Sequence, residues 1–141
     1  MDTVSQKTRS RMMAGIRHKD TKPEMLVRKH LHSLGFRYRL HKRVGNTRPD
    51  LVLPRWKTSI FVHGCYWHRH QGCKLASEPK SNTAFWKNKF SQNVERDMRN
   101  VEELRSLGWS VGIIWECSVR NGKFMEAKLR ELITHRNCWE V

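Results

Sequence analysis

The sequence predicts an α/β fold, a central mixed β-sheet flanked by helices, on three observations. Apolar residues recur at helical spacing in residues 22–34, 82–107 and 123–135, and short β-type runs stand at 38–40, 51–53, 59–62 and 109–115. Their order, one helix, three strands, a long helix, a strand and a last helix, is that of a sheet layered between helices. A chain of 141 residues holding 6 Trp and 5 Phe has the length and aromatic bulk for one core and is too short for two.

Residues 1–20 are basic and nearly free of branched apolar residues, and they read as an arm with a short helix that orders on a partner. Residues 21–141 read as one domain. Thr21 is a good N-cap, Pro23 suits a first helical turn, and Leu26, Val27, His30, Leu31 and Leu34 line one side of an amphipathic helix that Gly35 ends. The runs at 38–40, 51–53 and 59–62 predict a meander of strands, with Pro54-Arg55-Trp56-Lys57 as the turn between the last two. Residues 63–81 have no periodicity, so something other than core packing must organise that loop. Residues 82–107 predict the longest helix, stopped by Gly108, and Trp109 to Trp115 predict a buried strand. Phe124, Ala127, Leu129, Leu132 and Ile133 predict a single closing helix over residues 123–135.

The chain carries 28 Lys and Arg against 13 Asp and Glu, a formal net charge of +15. Such an excess repels itself unless an anionic partner offsets it, and nucleic acid is the partner it predicts. Residues 1–57 hold 15 of the basic and 4 of the acidic residues, so the N-terminal side is expected to face phosphate. No stretch has the length and apolarity of a membrane span, and the polar N-terminus does not read as a signal peptide, so a cytoplasmic protein is expected. In a reducing compartment, Cys65, Cys73, Cys117 and Cys138 point to metal ligation or thiols rather than to disulfides.

Three constellations carry chemistry. Cys65, His70 and Cys73, with Cys117 as a fourth ligand after the last strand, are soft donors in the pattern of a closed, structural Zn²⁺ site; His63 or His68 stands near enough in sequence to replace His70. Asp50, in Arg48-Pro49-Asp50, enters one strand while His63 ends the next, a layout that lets a carboxylate and groups at the end of the neighbouring strand converge on a hard cation such as Mg²⁺. Residues 60–62 are apolar, so the carboxylate and lysine that many metal nucleases carry there are missing. His68 then becomes the candidate to orient or deprotonate a water, because a histidine ordinarily titrates near neutrality. Glu24 is a further carboxylate candidate, although its place in a first helical turn already suits the helix dipole. In the third constellation, Tyr66 and Trp67 in the polar loop and Trp86 beside Lys87 and Lys89 combine rings with cations, as stacking or wedging surfaces do, whereas Phe85 and Trp109 are expected in the core.

These residues resemble the very-short-patch repair (Vsr) endonucleases: T-R-S-x-x-M in the arm, R-P-D at 48–50, F-V-H-G-C-Y-W-H at 61–68, F-W-x-x-K at 85–89, N-V-E-R-D at 93–97 and L-G-W-x-V…W-E-C at 107–117. The resemblance implies a restriction-endonuclease-like fold with a structural zinc, and a Mg²⁺-dependent site that nicks the strand 5′ to the T of a T:G mispair, as in repair of deaminated 5-methylcytosine. It implies that Asp50 and the main-chain carbonyl of Val62 hold Mg²⁺, that His68 and Glu24 act through water, that His63 contacts phosphate, and that Cys65, His70, Cys73 and Cys117 hold zinc. Tyr66, Trp67 and Trp86 become a wedge beside the mispair, Met13 and Ile16 enter from the minor groove, and Lys89 and Asn93 face base edges. Against a well-known member, Val62 stands for a threonine, Tyr66 for a phenylalanine, and one extra residue separates His70 from Cys73. The implied partner is mismatched double-stranded DNA, bound by a monomer at the bacterial nucleoid, with mismatch-repair proteins as further partners. The alternatives are a mismatch or restriction-type nuclease of broader specificity, and a zinc DNA-binding module without catalysis.

Overall fold

A computed structural model describes residues 21–141. Helix α1, Lys22–Ser33, begins as expected: the Thr21 hydroxyl accepts the Glu24 backbone N–H at 3.4 Å, and Pro23 stands in the first turn, where no intrahelical N–H is needed. Its inner face buries Val27 and Leu31, and also two charged residues, Glu24 and Arg28.

Strands β1 (Arg39–Leu40), β2 (Leu51–Leu53), β3 (Thr58–His63), β4 (Ser110–Trp115) and β5 (Trp139–Glu140) form one sheet in the order β1-β2-β3-β4-β5. The first three run antiparallel, which is the expected meander, and its second turn is a 3₁₀ turn at Pro54–Trp56 closed by a left-handed Lys57. β3 and β4 run parallel, so the chain must cross over between them. The loop after β3 and helix α2, Thr83–Ser106, make that crossing. The mixed sheet between helices is therefore present.

Alternation along the strands divides the core between the two faces. On one face Leu51, Leu53, Ile60 and Ile114 meet Val27 and Leu31 of α1 together with Phe36, Phe124, Leu129 and Ile133; on the other Phe61 and Val111 meet Leu104 of α2. Only the C-terminal half of α2 lies on the sheet in this way. Its N-terminal half reaches out over the Cys/His loop, and Phe85, expected in the core, is 55% exposed there.

The closing segment corrects a second expectation. After α3 (Glu116–Arg120), residues 123–135 form two short helices, α4 (Lys123–Glu126) and α5 (Leu129–Thr134), separated by extended backbone at Ala127. Phe124 and Leu129 are both buried in the same core. Five residues apart on one helix they would point about 140° from each other, so the break lets both reach it. The sequence reading also missed β5, which is two residues long. Its Trp139 lies opposite Gly112, where a Cβ would come within 2.3 Å of the indole, so only glycine admits this strand. Among the described residues, no helix is long and apolar enough to cross a membrane.

Candidate active site and metal centre

Strand register assembles the site. Asp50 directly precedes β2, and the pairing of Leu51 with Ile60 sets it beside the end of β3, where its Oδ2 accepts the Val62 N–H at 2.7 Å. His63 pairs with Trp115 at the end of the parallel strands, so Cys65, two residues beyond β3, and Cys117, two beyond β4, leave the sheet side by side. Two clusters thus form at one end of the sheet.

In the first, donor atoms of Cys65, His70, Cys73 and Cys117 all lie within 4.8 Å of one another, with His70 Nδ1 3.6 Å from Cys65 Sγ and 3.4 Å from Cys117 Sγ. The imidazole among the thiols is His70, whereas His63 and His68 face elsewhere. Burial, reinforced by the neighbouring thiols, pushes Cys65 up to about 12, although the Cys117 N–H opposes the rise. A dication would reverse that, and three sulfurs with one nitrogen suit the tetrahedral, soft-donor preference of zinc. These four residues form a candidate metal centre.

The second cluster lines a cleft of about 1260 Å³ that takes in Glu24, Asp50, Val62, His63 and His68. Tyr66, Trp67, Lys89 and Asn93 line the same cleft. Burial raises Asp50 to about 7, and Glu24 adds to the rise; the Val62 N–H, His68 and Arg28 oppose it. Burial thus leaves the charged carboxylate poorly solvated, and its hard oxygens suit Mg²⁺. Glu24 is only 3% exposed, with Arg28 at 3.2 Å and His41 at 3.7 Å, which is more than a first-turn residue at a helix dipole requires.

His68 Nδ1 lies 2.7 Å from Asp97 Oδ2, and an ionised Asp97 keeps the ring proton on Nδ1 and leaves Nε2 as the acceptor. His63 stacks on His68 with centroids 3.9 Å apart and planes at 4°. Burial pushes His63 down to about 3, with His68 adding to the shift and Asp97 opposing it. Donor atoms of His63, His68 and Asp97 also fall within 4.8 Å. Parallel stacked rings aim their in-plane lone pairs side by side rather than at one ion, so this is a hydrogen-bonding group and not a chelate.

Beside the cleft the rings of Tyr66, Trp67 and Trp86 close around Phe90 at centroid distances of 5.2, 6.4 and 5.9 Å. Phe85 adds an exposed ring edge-on to Trp86. Asn93 donates its side-chain N–H to the Trp67 carbonyl at 3.1 Å, holding the loop as well as facing the cleft. Met13 and Ile16 of the expected arm lie outside the described residues. Sequence reasoning missed Asp97, although its place four residues after Asn93 puts the two on one face of α2. It also missed Glu116, whose Oε1 accepts the Cys65 N–H at 3.3 Å from the rim of the same cleft.

The catalytic domain of homing endonuclease I-Bth0305I has the same fold, with a TM-score of 0.56 over 82% of this chain and 98% of that one at 23% identity. The fold is thus restriction-endonuclease-like. Residues 1–74 match the family model of DNA mismatch endonuclease Vsr. The chain is 42% identical over 132 residues to the type II nicking enzyme V.NmeAIP of Neisseria meningitidis serogroup A, covering 94% of each. It is 37% identical over 140 residues to DNA mismatch endonuclease Vsr of Escherichia coli, covering 99% of this chain and 89% of that one. This protein belongs to the Vsr family of DNA mismatch endonucleases, and it is a DNA-cleaving hydrolase.

Proposed function

We propose that the protein nicks one strand of double-stranded DNA 5′ to the T of a T:G mispair, with residues 21–141 as the endonuclease domain and residues 1–20 as a basic arm on the phosphates. The observation that carries the reading is the meeting in one cleft of Asp50, pushed up to about 7, with Glu24 and the His68–Asp97 pair. A Mg²⁺ ion held by Asp50, the Val62 carbonyl and, through water, Glu24 would polarise the scissile phosphate and stabilise the leaving oxyanion.

His68 Nε2 takes the proton of the attacking water, while Asp97 holds the ring in the tautomer that can accept it. His63, neutral because of its burial, contacts the phosphate from the cleft wall. The zinc set of Cys65, His70, Cys73 and Cys117 is structural, since four protein donors leave no position for a reacting water. Tyr66, Trp67 and Trp86 wedge into the stack beside the mispair, with Met13 and Ile16 of the arm opposite, and Lys89 and Asn93 read the wobble pair. A wobble pair stacks less well than a matched one, so insertion costs less there and selectivity follows from the difference. The setting is the bacterial cytoplasm, where the enzyme works as a monomer alongside mismatch-repair proteins.

The test is cleavage of duplexes labelled on each strand, carrying T:G, T:A or other mispairs, with Mg²⁺ or EDTA. Mg²⁺-dependent nicking of the T strand that Asp50→Ala abolishes is the expected outcome. Cutting of other mispairs or of both strands would point to a broader nuclease, and binding with no cutting on any duplex to a non-catalytic module.

A further inference from the structure

We propose that Arg69 is the positioning residue that stiffens the aromatic wedge, and thereby sets how sharply the enzyme separates a mispaired from a matched step. This rests on Tyr66 and Trp67 acting as the wedge. The Arg69 side chain is only 15% exposed. One nitrogen of its guanidinium donates to the carbonyls of Tyr66 and Ser77, at 3.4 and 3.0 Å, and the other to the Ala76 carbonyl at 3.1 Å and Glu78 Oε1 at 2.9 Å. Its carbon centre lies 4.2 Å from the centroid of the Phe90 ring and 5.5 Å from that of Tyr66.

One planar cation thus ties together the main chain of the wedge, the loop beyond Cys73 and the ring of α2 on which the other aromatics pack. A lysine has neither the fork nor the flat face for this. Glu78 is 86% exposed, so that ion pair adds little, and the clamp consists of the carbonyls and the rings. The chain pays for the arrangement locally: Arg69 is a non-glycine residue in the left-handed region, at φ 53°. It sits between His68, held by Asp97, and His70, held among the thiols, so the backbone reverses where two anchored side chains diverge.

A wedge ordered before DNA arrives loses little conformational entropy on insertion, whereas a loose one must be ordered at the expense of binding. Loosening it should therefore harm only the step in which stacked bases are parted. Nicking rates at saturating and limiting DNA would be measured for wild type, Arg69→Met, Arg69→Lys, Phe90→Leu and Trp67→Ala. Two duplexes are compared: a T:G mispair in continuous stacking, and the same mispair beside an unpaired bulge that has already opened the step.

Arg69→Met is expected to lose roughly tenfold in kcat/KM on the stacked duplex, the effect of losing about one net hydrogen bond to a charged group, and to stay near wild type on the bulged one with zinc content unchanged. Arg69→Lys and Phe90→Leu should show smaller losses of the same pattern. Equal losses on both duplexes, or loss of zinc, would make Arg69 merely structural and overturn the proposal, as would wild-type behaviour of Arg69→Met while Trp67→Ala loses the stacked duplex alone. If Arg69→Met does not fold, Arg69→Lys and Phe90→Leu decide by the same criterion. If Trp67→Ala discriminates as wild type does, the wedge reading itself fails, and the proposal with it.

Discussion

The two clusters at the end of the sheet call for a cation in opposite ways. Around Cys65, His70, Cys73 and Cys117 the donors are soft, close together and complete in number, and with none of them unused the centre is closed. Around Asp50 they are hard, few and set in a cleft, where burial leaves a charged carboxylate poorly matched by its surroundings. A closed set of donors stabilises the fold, whereas an unmatched one destabilises it in exchange for chemistry. The clusters share a wall as well: Trp115 stacks on His70 at 4.1 Å and meets His63 edge-on at 5.1 Å, with its N–H held by Glu140 at 2.6 Å. The Cys/His cluster thus braces the cleft.

The largest effect is expected from emptying the closed centre. Cys117→Ser, or a strong chelator applied to the unfolding equilibrium, should cost several kcal/mol of stability, because binding to a structural zinc site is folding free energy, of order 10 kcal/mol in small domains. Circular dichroism melts alongside zinc analysis would check this. A melt unchanged by metal loss would break the contrast between the clusters.

Asp50→Asn should act in two directions. Nicking should fall by about a thousandfold or more, since the ion loses its charged ligand. Stability without Mg²⁺ should rise at alkaline pH. Asp50 titrates at about 7 folded against 3.8 unfolded, so the stability it contributes is fully present below pH 3.8 and lost as pH rises through about 7. The loss is on the order of 4 kcal/mol, and the asparagine removes it. Urea titrations without added Mg²⁺ at pH 5 and 8.5 would show the difference between variant and wild type growing with pH; a constant difference would mean that Asp50 is not charged against its surroundings.

His68→Ala should lower kcat by about a hundredfold or more, and Asp97→Asn by roughly tenfold, since the amide that replaces the carboxylate would still contact the ring without fixing its tautomer. Single-turnover rates across pH would separate the two. The smallest effect is expected from Glu116→Gln, at the border of both clusters. Losing the charge that accepts the Cys65 N–H and pairs with Arg120 at 2.9 Å should cost about 1 kcal/mol, leave nicking intact and weaken zinc retention up to tenfold. Loss of nicking instead would mean that the border residue belongs to the open site.

What was legible in the sequence is what local patterns encode. Period and caps located α1 and α2 to within a residue or two, and the apolar run to Trp115 announced a strand buried on both faces. Cysteine spacing pointed to a metal centre, and an aspartate at a strand entrance pointed to the cleft. Which imidazole meets the thiols was not legible, because His63, His68 and His70 are alike in sequence and differ only in the direction each takes from the loop. Nor was the exposure of Phe85, whose place in a helical period does not say how far along α2 the sheet extends.

By itself, then, the sequence determined the elements, their order and the chemical types gathered after β3, because helix period, turn chemistry and ligand softness are properties of neighbouring residues. Only the tertiary structure decided that Asp97 meets His68, that Glu24 is buried near Asp50, and that Gly112 makes room for a strand beginning at Trp139. Each of those depends on a crossover and a strand register that join residues tens of positions apart, and on burial that turns an ordinary carboxylate into one titrating near neutrality.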